Sequence, residues 1–336
     1  MIISVHKSIH HDLYSLQVEG RRITLRNNLD RYGLTHVLRE RLGKWYLPRS
    51  YCEWVHGWCW WQNDLEVQDL IYHRSTLPDS QWLLVTNELE RSIAIANGIR
   101  RVVAAGLPIV YAVPATLPQR RRNTLLAFID HSAEAEKDNG VADARFLDYL
   151  AELKGNYEIV AVSVFSLDYS DKIVSEVTRR GLFPIVGANP TDTRTFERIC
   201  NYFSFFSEVT GNCMGSYIAY SLYLGAEVFL PGNFYKKDYS IFKSGNLGFS
   251  DEYISRIEYH YSENYARQNY KFLFEKNNNL SAQDRIDLGK MYVGEGHMLS
   301  NDELEFYLGW RKFTQVKEAV QGASRRINRC LKKALI

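Results

Sequence analysis

A histidine and a carboxylate stand inside a run of aromatic residues early in the chain, in the stretch CEWVHGWCWW at positions 52–61. A histidine exchanges protons near neutral pH, so His56 is a candidate general base for an acceptor hydroxyl. On a helix or a turn Glu53 would orient His56, whereas on a strand the two side chains would face opposite sides. A buried structural histidine in a core strand explains the same residues.

Small and hydroxyl-bearing residues crowd the entrance to a predicted helix in the stretch EVTGNCMGS at positions 208–216. The backbone N–H groups and the dipole at a helix start favour an anion such as a phosphate. The stretch is neither a Walker A loop nor a GxGxxG fingerprint, and a plain capped helix is the alternative. The candidate binding residues are Gly211, Asn212, Gly215 and Ser216.

Two further loops follow predicted strands, and ligands of open α/β sheets bind at the carboxyl ends of strands. In GANPTDT at 187–193, Asn189 either caps a helix that begins with Pro190 or, with Thr191, holds a ribose or a phosphate. In DHS at 130–132, His131 and Ser132 stand at the carboxyl end of a strand, which favours a functional role, although a lone histidine is as often structural.

Short apolar runs alternate with helical patterns over most of the chain, which predicts an α/β fold with parallel strands. A segment with two prolines and three successive arginines at 114–123 is interpreted as a linker. The division is an N-terminal α/β domain at 1–115, a second α/β domain at 116–250 and a helical segment at 251–336. The predicted strands are 82–87, 101–106, 125–131, 159–165, 183–187 and 226–232.

The composition excludes several classes of protein. A net charge of +2 over 336 residues argues against a dedicated nucleic-acid binder. The five cysteines lack paired metal-ligand spacing, which indicates a reduced compartment and no metal site. The sequence shows neither a secretory signal nor an apolar run long enough to span a bilayer, so we expect a cytoplasmic protein.

The last 26 residues, from Arg311, contain eight Lys or Arg and a single acid, Glu318. Apolar residues recur there at three- and four-residue steps, which predicts a basic amphipathic helix. Two interpretations are open: a helix packed on the body with a solvated basic face, or an interfacial helix on the cytoplasmic face of the inner membrane.

Several of these stretches resemble motifs of one group of proteins. EWVHGW at 53–58 and NGIRRVVAAGLPIVY at 97–111 resemble first-domain motifs of bacterial cell-surface polymer transferases of GT-B-like type. DHS and GNCMGSYIAYSLYLGAEVFLPG at 211–232 resemble the second-domain elements that grip a nucleotide-activated donor. The group includes capsule and lipopolysaccharide glycosyltransferases, sialyl- and Kdo-transferases, and teichoic-acid glycerophosphotransferases.

The resemblance implies two Rossmann-like α/β domains that face a cleft and are braced by C-terminal helices. It implies that the first domain, 1–115, is on the acceptor side and that the second, 116–250, binds the nucleotide-sugar. It implies a metal-independent glycosyltransferase, without a cofactor, in which His56 is the base and Glu53 a helper or alternate. The implied donor-binding residues are His131, Ser132, Asn189, Thr191, Gly211, Asn212, Gly215 and Ser216.

The implied substrates are a nucleotide-sugar donor and a glycan or glycolipid acceptor of lipopolysaccharide or capsule type, with no nucleic acid. A CMP-linked donor is favoured, although His131-Ser132 stands where sialyltransferase-like families have His-Pro. The alternatives are a CDP-polyol phosphotransferase of the teichoic-acid type and a non-catalytic nucleotide- or sugar-binding protein.

Overall fold

The computed structural model describes residues 11–25, 28–55, 57–71, 81–130, 143–237, 239, 250–275, 280–312 and 314–316. Within these ranges the chain forms two separate parallel β-sheets surrounded by helices. The predicted α/β class with parallel strands is therefore confirmed.

The first sheet has three parallel strands that lie side by side in chain order. Its strand order does not reverse within the described residues, so this sheet lacks the crevice that a reversal creates. Its strands are β1 (Cys52–Trp54), β2 (Trp82–Val85) and β3 (Val102–Ala104). The helices of this half are α1 (Leu34–Arg41), α2 (Val67–Ile71), α3 (Glu88–Ala96) and α4 (Ile109–Ala112).

The second sheet has five parallel strands in the order β6-β5-β4-β7-β8. The strands are β4 (Arg121–Phe128), β5 (Ile159–Val164), β6 (Phe183–Val186), β7 (Phe206–Gly211) and β8 (Glu227–Phe229). From the centre of the sheet, β4, β5 and β6 follow one another to one edge, whereas β7 and β8 follow one another to the other edge. The order therefore reverses between β4 and β7, which is the topological switch point of a doubly wound sheet.

Helices cover both faces of the second sheet. Alternate strand residues point to opposite faces, so Leu125 and Val160 pack in one cluster and Leu126 and Ala161 in the other. Helices α5 (Ala144–Leu153) and α6 (Asp171–Arg179) cover the first face. Helices α7 (Thr195–Phe205) and α8 (Ser216–Tyr223) cover the second, which also faces the three-stranded sheet.

The described residues after 250 form mainly helices. Helix α11 joins the two halves, because Gly289 packs against α8 and Val293 accepts a hydrogen bond from the Leu107 N–H after β3 (2.8 Å). The helices are α9 (Asp251–His260), α10 (Glu263–Asn269), α11 (Ala282–Val293) and α12 (Asn301–Tyr307).

Two element predictions were wrong. The sequence did not predict β7, because Ser207, Glu208 and Thr210 interrupt its apolar run, although it lies between β4 and β8 in the sheet. The 114–123 segment is not wholly a linker, because β4 begins at Arg121. The six predicted strands and the helix ends at Gly98, Gly181 and Gly225 are confirmed, each glycine having a positive φ.

None of the described helices is long and apolar enough to cross a bilayer. Most of the predicted basic tail, residues 313 and 317–336, lies outside the described residues. The division of the chain at 115 and 250 stays a prediction.

Candidate functional site

The switch point brings the loops after β4 and β7 together. Asn212 is 1 % exposed, and its side-chain oxygen accepts the N–H of Asp130 (2.9 Å). Its own N–H donates to the carbonyl of Phe128 (3.4 Å). Asn212 therefore holds Asp130 at the carboxyl edge of the sheet, where open α/β sheets bind ligands.

A lysine from a third loop completes this cluster. The Asn212 carbonyl accepts the N–H of Tyr235 (2.9 Å), which brings the loop after β8 to the switch point. The ammonium of Lys237 lies 3.6 Å from a carboxylate oxygen of Asp130, with both side chains largely shielded from solvent. An ammonium group can donate as many as three hydrogen bonds.

Cys213 lies next to this ion pair. Burial first, and then the negative charge of Asp130, raises the pKa of the Cys213 thiol well above its ordinary value. The thiol is therefore neutral at physiological pH, and we do not expect it to act as a nucleophile.

Helix α8 begins beside the cluster. Gly215 precedes it and provides no side-chain cap. The hydroxyl of Ser216 accepts the backbone N–H of Trp58 (2.9 Å), and an added Cβ on Gly57 would lie 3.0 Å from it. The start of a helix in the second half is thus in contact with the loop that follows β1 in the first half.

Tyr217 fills the space beside the two glycines of this loop. A Cβ on Gly211 would lie 2.2 Å from the Tyr217 hydroxyl, and one on Gly215 would lie 3.0 Å from the Tyr217 ring. The ring stacks on Phe128, and the hydroxyl donates to the Cys213 carbonyl (2.7 Å). Each glycine therefore has a packing role in this structure, whereas its role in donor binding stays a prediction.

Asn189 and Thr191 lie elsewhere, after β6 at the edge of the sheet. Strands β5 and β4 separate them from β7, a distance of roughly 14 Å at the usual strand spacing. The Asn189 side-chain oxygen accepts both the N–H and the hydroxyl of Thr191 (3.0 Å each). Their role in donor binding stays a prediction.

The N-terminal part of the chain packs on this second loop. The N–H of Ile23 donates to the Thr191 carbonyl (2.7 Å). Arg198 is 1 % exposed, and it donates to the Asp192 carboxylate and to the Val18 carbonyl (2.7 Å each). These contacts give the loop after β6 a structural role of its own.

The remaining predicted residues lie partly outside the described chain. Glu53 is on β1 and 7 % exposed, so the strand interpretation of its position is the one observed. His56, His131 and Ser132 lie outside the described residues, and their roles stay predictions.

The sequence analysis missed three residues of the cluster: Asp130, Lys237 and Tyr217. A signal existed for Asp130, since it is the first charged residue after the apolar run of β4. None existed for Lys237, because only the strand order brings its loop to Asp130.

The described residues include no group of three or more His, Cys, Asp or Glu side chains placed to hold a metal ion. Instead, the cluster combines an ammonium, a carboxylate and a helix start. These groups suit a ligand that has both negative charge and hydroxyl groups.

No protein-family model matches the sequence, and no curated protein matches it. Among solved structures, the chain is similar to a GtfA/B complex, with 11 % identity and a TM-score of 0.34 over 92 % of this chain and 60 % of that chain. It is also similar to a variant of the wall teichoic acid polymerase TagF, with 13 % identity and a TM-score of 0.30 over 74 % of this chain and 67 % of that chain. Both likenesses are weak. The chain spans less than two thirds of the GtfA/B chain it matches, and at these TM-scores neither structure carries an argument about function.

Proposed function

We propose that the protein is a transferase that binds a nucleotide-activated sugar at the switch point and passes the sugar to a hydroxyl of a surface-glycan acceptor. The observation that carries the proposal is the cluster of Asp130, Asn212 and Lys237 beside the start of α8. It lies at the one sheet edge, among the described residues, where the strand order reverses.

In the proposed complex the donor phosphate binds to the positively charged groups of this cluster. The Lys237 ammonium and the N–H groups at the start of α8 attract negative charge. Partial burial strengthens this attraction, because less water screens it. Asp130 is placed to accept hydrogen bonds from the hydroxyl groups of a ribose or a sugar.

The acceptor belongs on the side of the first sheet. The contact of Gly57 and Trp58 with Ser216 supports this placement, because it joins the loop after β1 to the start of α8. In the proposed reaction His56 takes the hydroxyl proton, and the acceptor oxygen bonds to the anomeric carbon. The bond from that carbon to the donor phosphate breaks, and Lys237 and α8 stabilise the charge of the departing phosphate.

The test is a binding series with CMP, CDP, UDP, GDP and dTDP, measured by thermal shift and then by calorimetry. A ligand that binds only the folded chain raises the melting temperature. We expect one nucleotide to be preferred. Lys237→Met should weaken its affinity about tenfold or more, because hydrogen bonds to charged groups contribute about 1.5–3 kcal/mol.

Lys236→Met is the matched control, because Lys236 is the exposed neighbour and lacks the contact with Asp130. Binding by Lys236→Met should equal that of the unaltered chain. If no nucleotide raises the melting temperature, or if the two variants bind alike, the donor site is not at the switch point. A product that gains phosphorus would establish the polyol-phosphate alternative, and binding without turnover the non-catalytic one.

A further inference from the structure

A tryptophan projects from the surface between α1 and β1. Trp45 is 91 % exposed, and its ring meets Tyr46 edge-on at 5.1 Å. The loop turns at Gly43, which has a positive φ and no atom within 4 Å of an added Cβ. An indole has one of the largest apolar surfaces of any side chain, so burying this one on a partner would release considerable free energy.

Basic residues flank this tryptophan in the sequence. Arg39, Arg41, Lys44 and Arg49 lie within six residues of it in the chain, against one acid, Glu40. Glu40 pairs with Arg39 (3.1 Å), and Lys44 pairs with Glu305 of α12 (2.5 Å). The exposed guanidiniums of Arg41 and Arg49 have aromatic rings beneath them and no described carboxylate as an ion-pair partner.

The loop lies alongside the start of the basic tail. The Gln315 side chain accepts the N–H of Arg49 (3.2 Å) and donates to its carbonyl (2.8 Å). The Tyr51 N–H donates to the Leu308 carbonyl (3.1 Å). Arg311 and Lys312 are exposed, and the chain beyond them is strongly basic. Two basic elements that are distant in sequence therefore meet on the same side of the molecule.

We propose that the surface formed by residues 41–49, 311–312 and 314–316, centred on Trp45, docks onto an anionic lipid bilayer. Tryptophan is enriched at the depth of the lipid headgroups, because its apolar ring contacts the lipid while its N–H donates to a polar acceptor. Each Lys or Arg near an anionic leaflet adds about 1 kcal/mol of attraction. The charge complementarity and the adjoining basic tail favour lipid over a second, equally basic copy of this surface. The proposal is independent of the donor site.

The test is co-sedimentation of the full chain with vesicles of phosphatidylglycerol and phosphatidylcholine, compared with phosphatidylcholine alone. We expect binding only to the anionic vesicles, and its loss near 1 M salt, where the Debye length is about 3 Å. Trp45→Ala should lower the partition coefficient about tenfold or more, and Trp45→Phe should retain most of the binding.

Tyr14→Ala is the control, because Tyr14 is 66 % exposed and packs against Phe183 of the other sheet. It should bind vesicles like the unaltered chain, and all variants should keep their melting temperature. Equal binding by Trp45→Ala and Tyr14→Ala would overturn the proposal. So would a dimer that Trp45→Ala converts to monomer without any vesicle binding, since a second copy would then cover this surface.

Discussion

At the scale of single residues, His260 at the end of α9 is a buried titratable group. It is 1 % exposed, its ring stacks on Trp61 at 5.3 Å, and its Nε2 lies 3.3 Å from a carboxylate oxygen of Asp64. Its Nδ1 has no hydrogen-bond partner among the described residues. Burial lowers the pKa of His260, although the hydrogen bond to Asp64 opposes the shift, and the charge of Arg256 lowers it further.

This residue predicts a pH dependence of stability. The unfolded chain binds a proton at His260 as the pH falls below about 6.5, while the folded chain resists it. The free energy of unfolding should therefore fall as the pH drops from about 6.5 through the lowered pKa. His260→Phe, which keeps an aromatic ring against Trp61, should flatten the dependence. Urea titrations at a series of pH values measure this, and equal slopes in both proteins would contradict it.

At the scale of elements, the crossing of α11 over α8 depends on a glycine. A Cβ on Gly289 would lie 2.1 Å from the backbone nitrogen of Tyr223. The backbones of the two helices are therefore too close at this crossing for any residue with a Cβ. Near the end of the same helix, Gly294 has a positive φ, and a Cβ there would lie 2.2 Å from the carbonyl of Thr86 after β2. Helix α11 thus fits closely against both halves of the molecule.

We expect Gly289→Ala to lower the free energy of unfolding by about 1–3 kcal/mol, because the added methyl meets backbone and must push the helices apart. Gly296→Ala is the matched control, since nothing lies within 4 Å of its Cβ position. That change should stay within about 0.5 kcal/mol of the unaltered chain. Chemical denaturation of the two variants measures the difference, and equal stabilities would show that the crossing adapts.

At the scale of the whole molecule, the two sheets share one core. Buried residues of the first sheet, such as Leu84, and of the second, such as Leu126, belong to the same apolar cluster. Trp58, from the loop after β1, stacks on Tyr292 of α11 at 4.5 Å. The hydroxyl of Tyr270 donates to the Trp60 carbonyl, so the segment after α10 holds the same loop.

Because of this shared core, we expect both halves to unfold in one cooperative transition. The enthalpy measured by calorimetry should equal the van't Hoff enthalpy. All seven tryptophans lie outside residues 121–230, so tryptophan fluorescence should report unfolding of the half that contains the three-stranded sheet. Circular dichroism should report unfolding of the whole chain. The two signals should change at the same denaturant concentration. Two separate transitions would show that the halves are independently stable domains.

The sequence by itself determined most of the local elements. The six predicted strands are short apolar runs, and the helices end at glycines that adopt a positive φ, so neighbouring residues contain the information. The same local signals singled out Gly211, Asn212, Gly215 and Ser216 as the entrance to a helix. They did not predict β7, because its polar residues interrupt the apolar pattern. Its pairing with β4 and β8 identifies it as a strand.

Only the tertiary structure decided which loops meet. Asp130 and Lys237 come together because β7 and β8 lie on one side of β4 while β5 and β6 lie on the other. The same order places Asn189 and Thr191 three strands away from Asn212, with β5 and β4 between them. Strand order depends on pairing between distant segments, and hydrophobic periodicity records only the face that a residue buries, not the strand beside it.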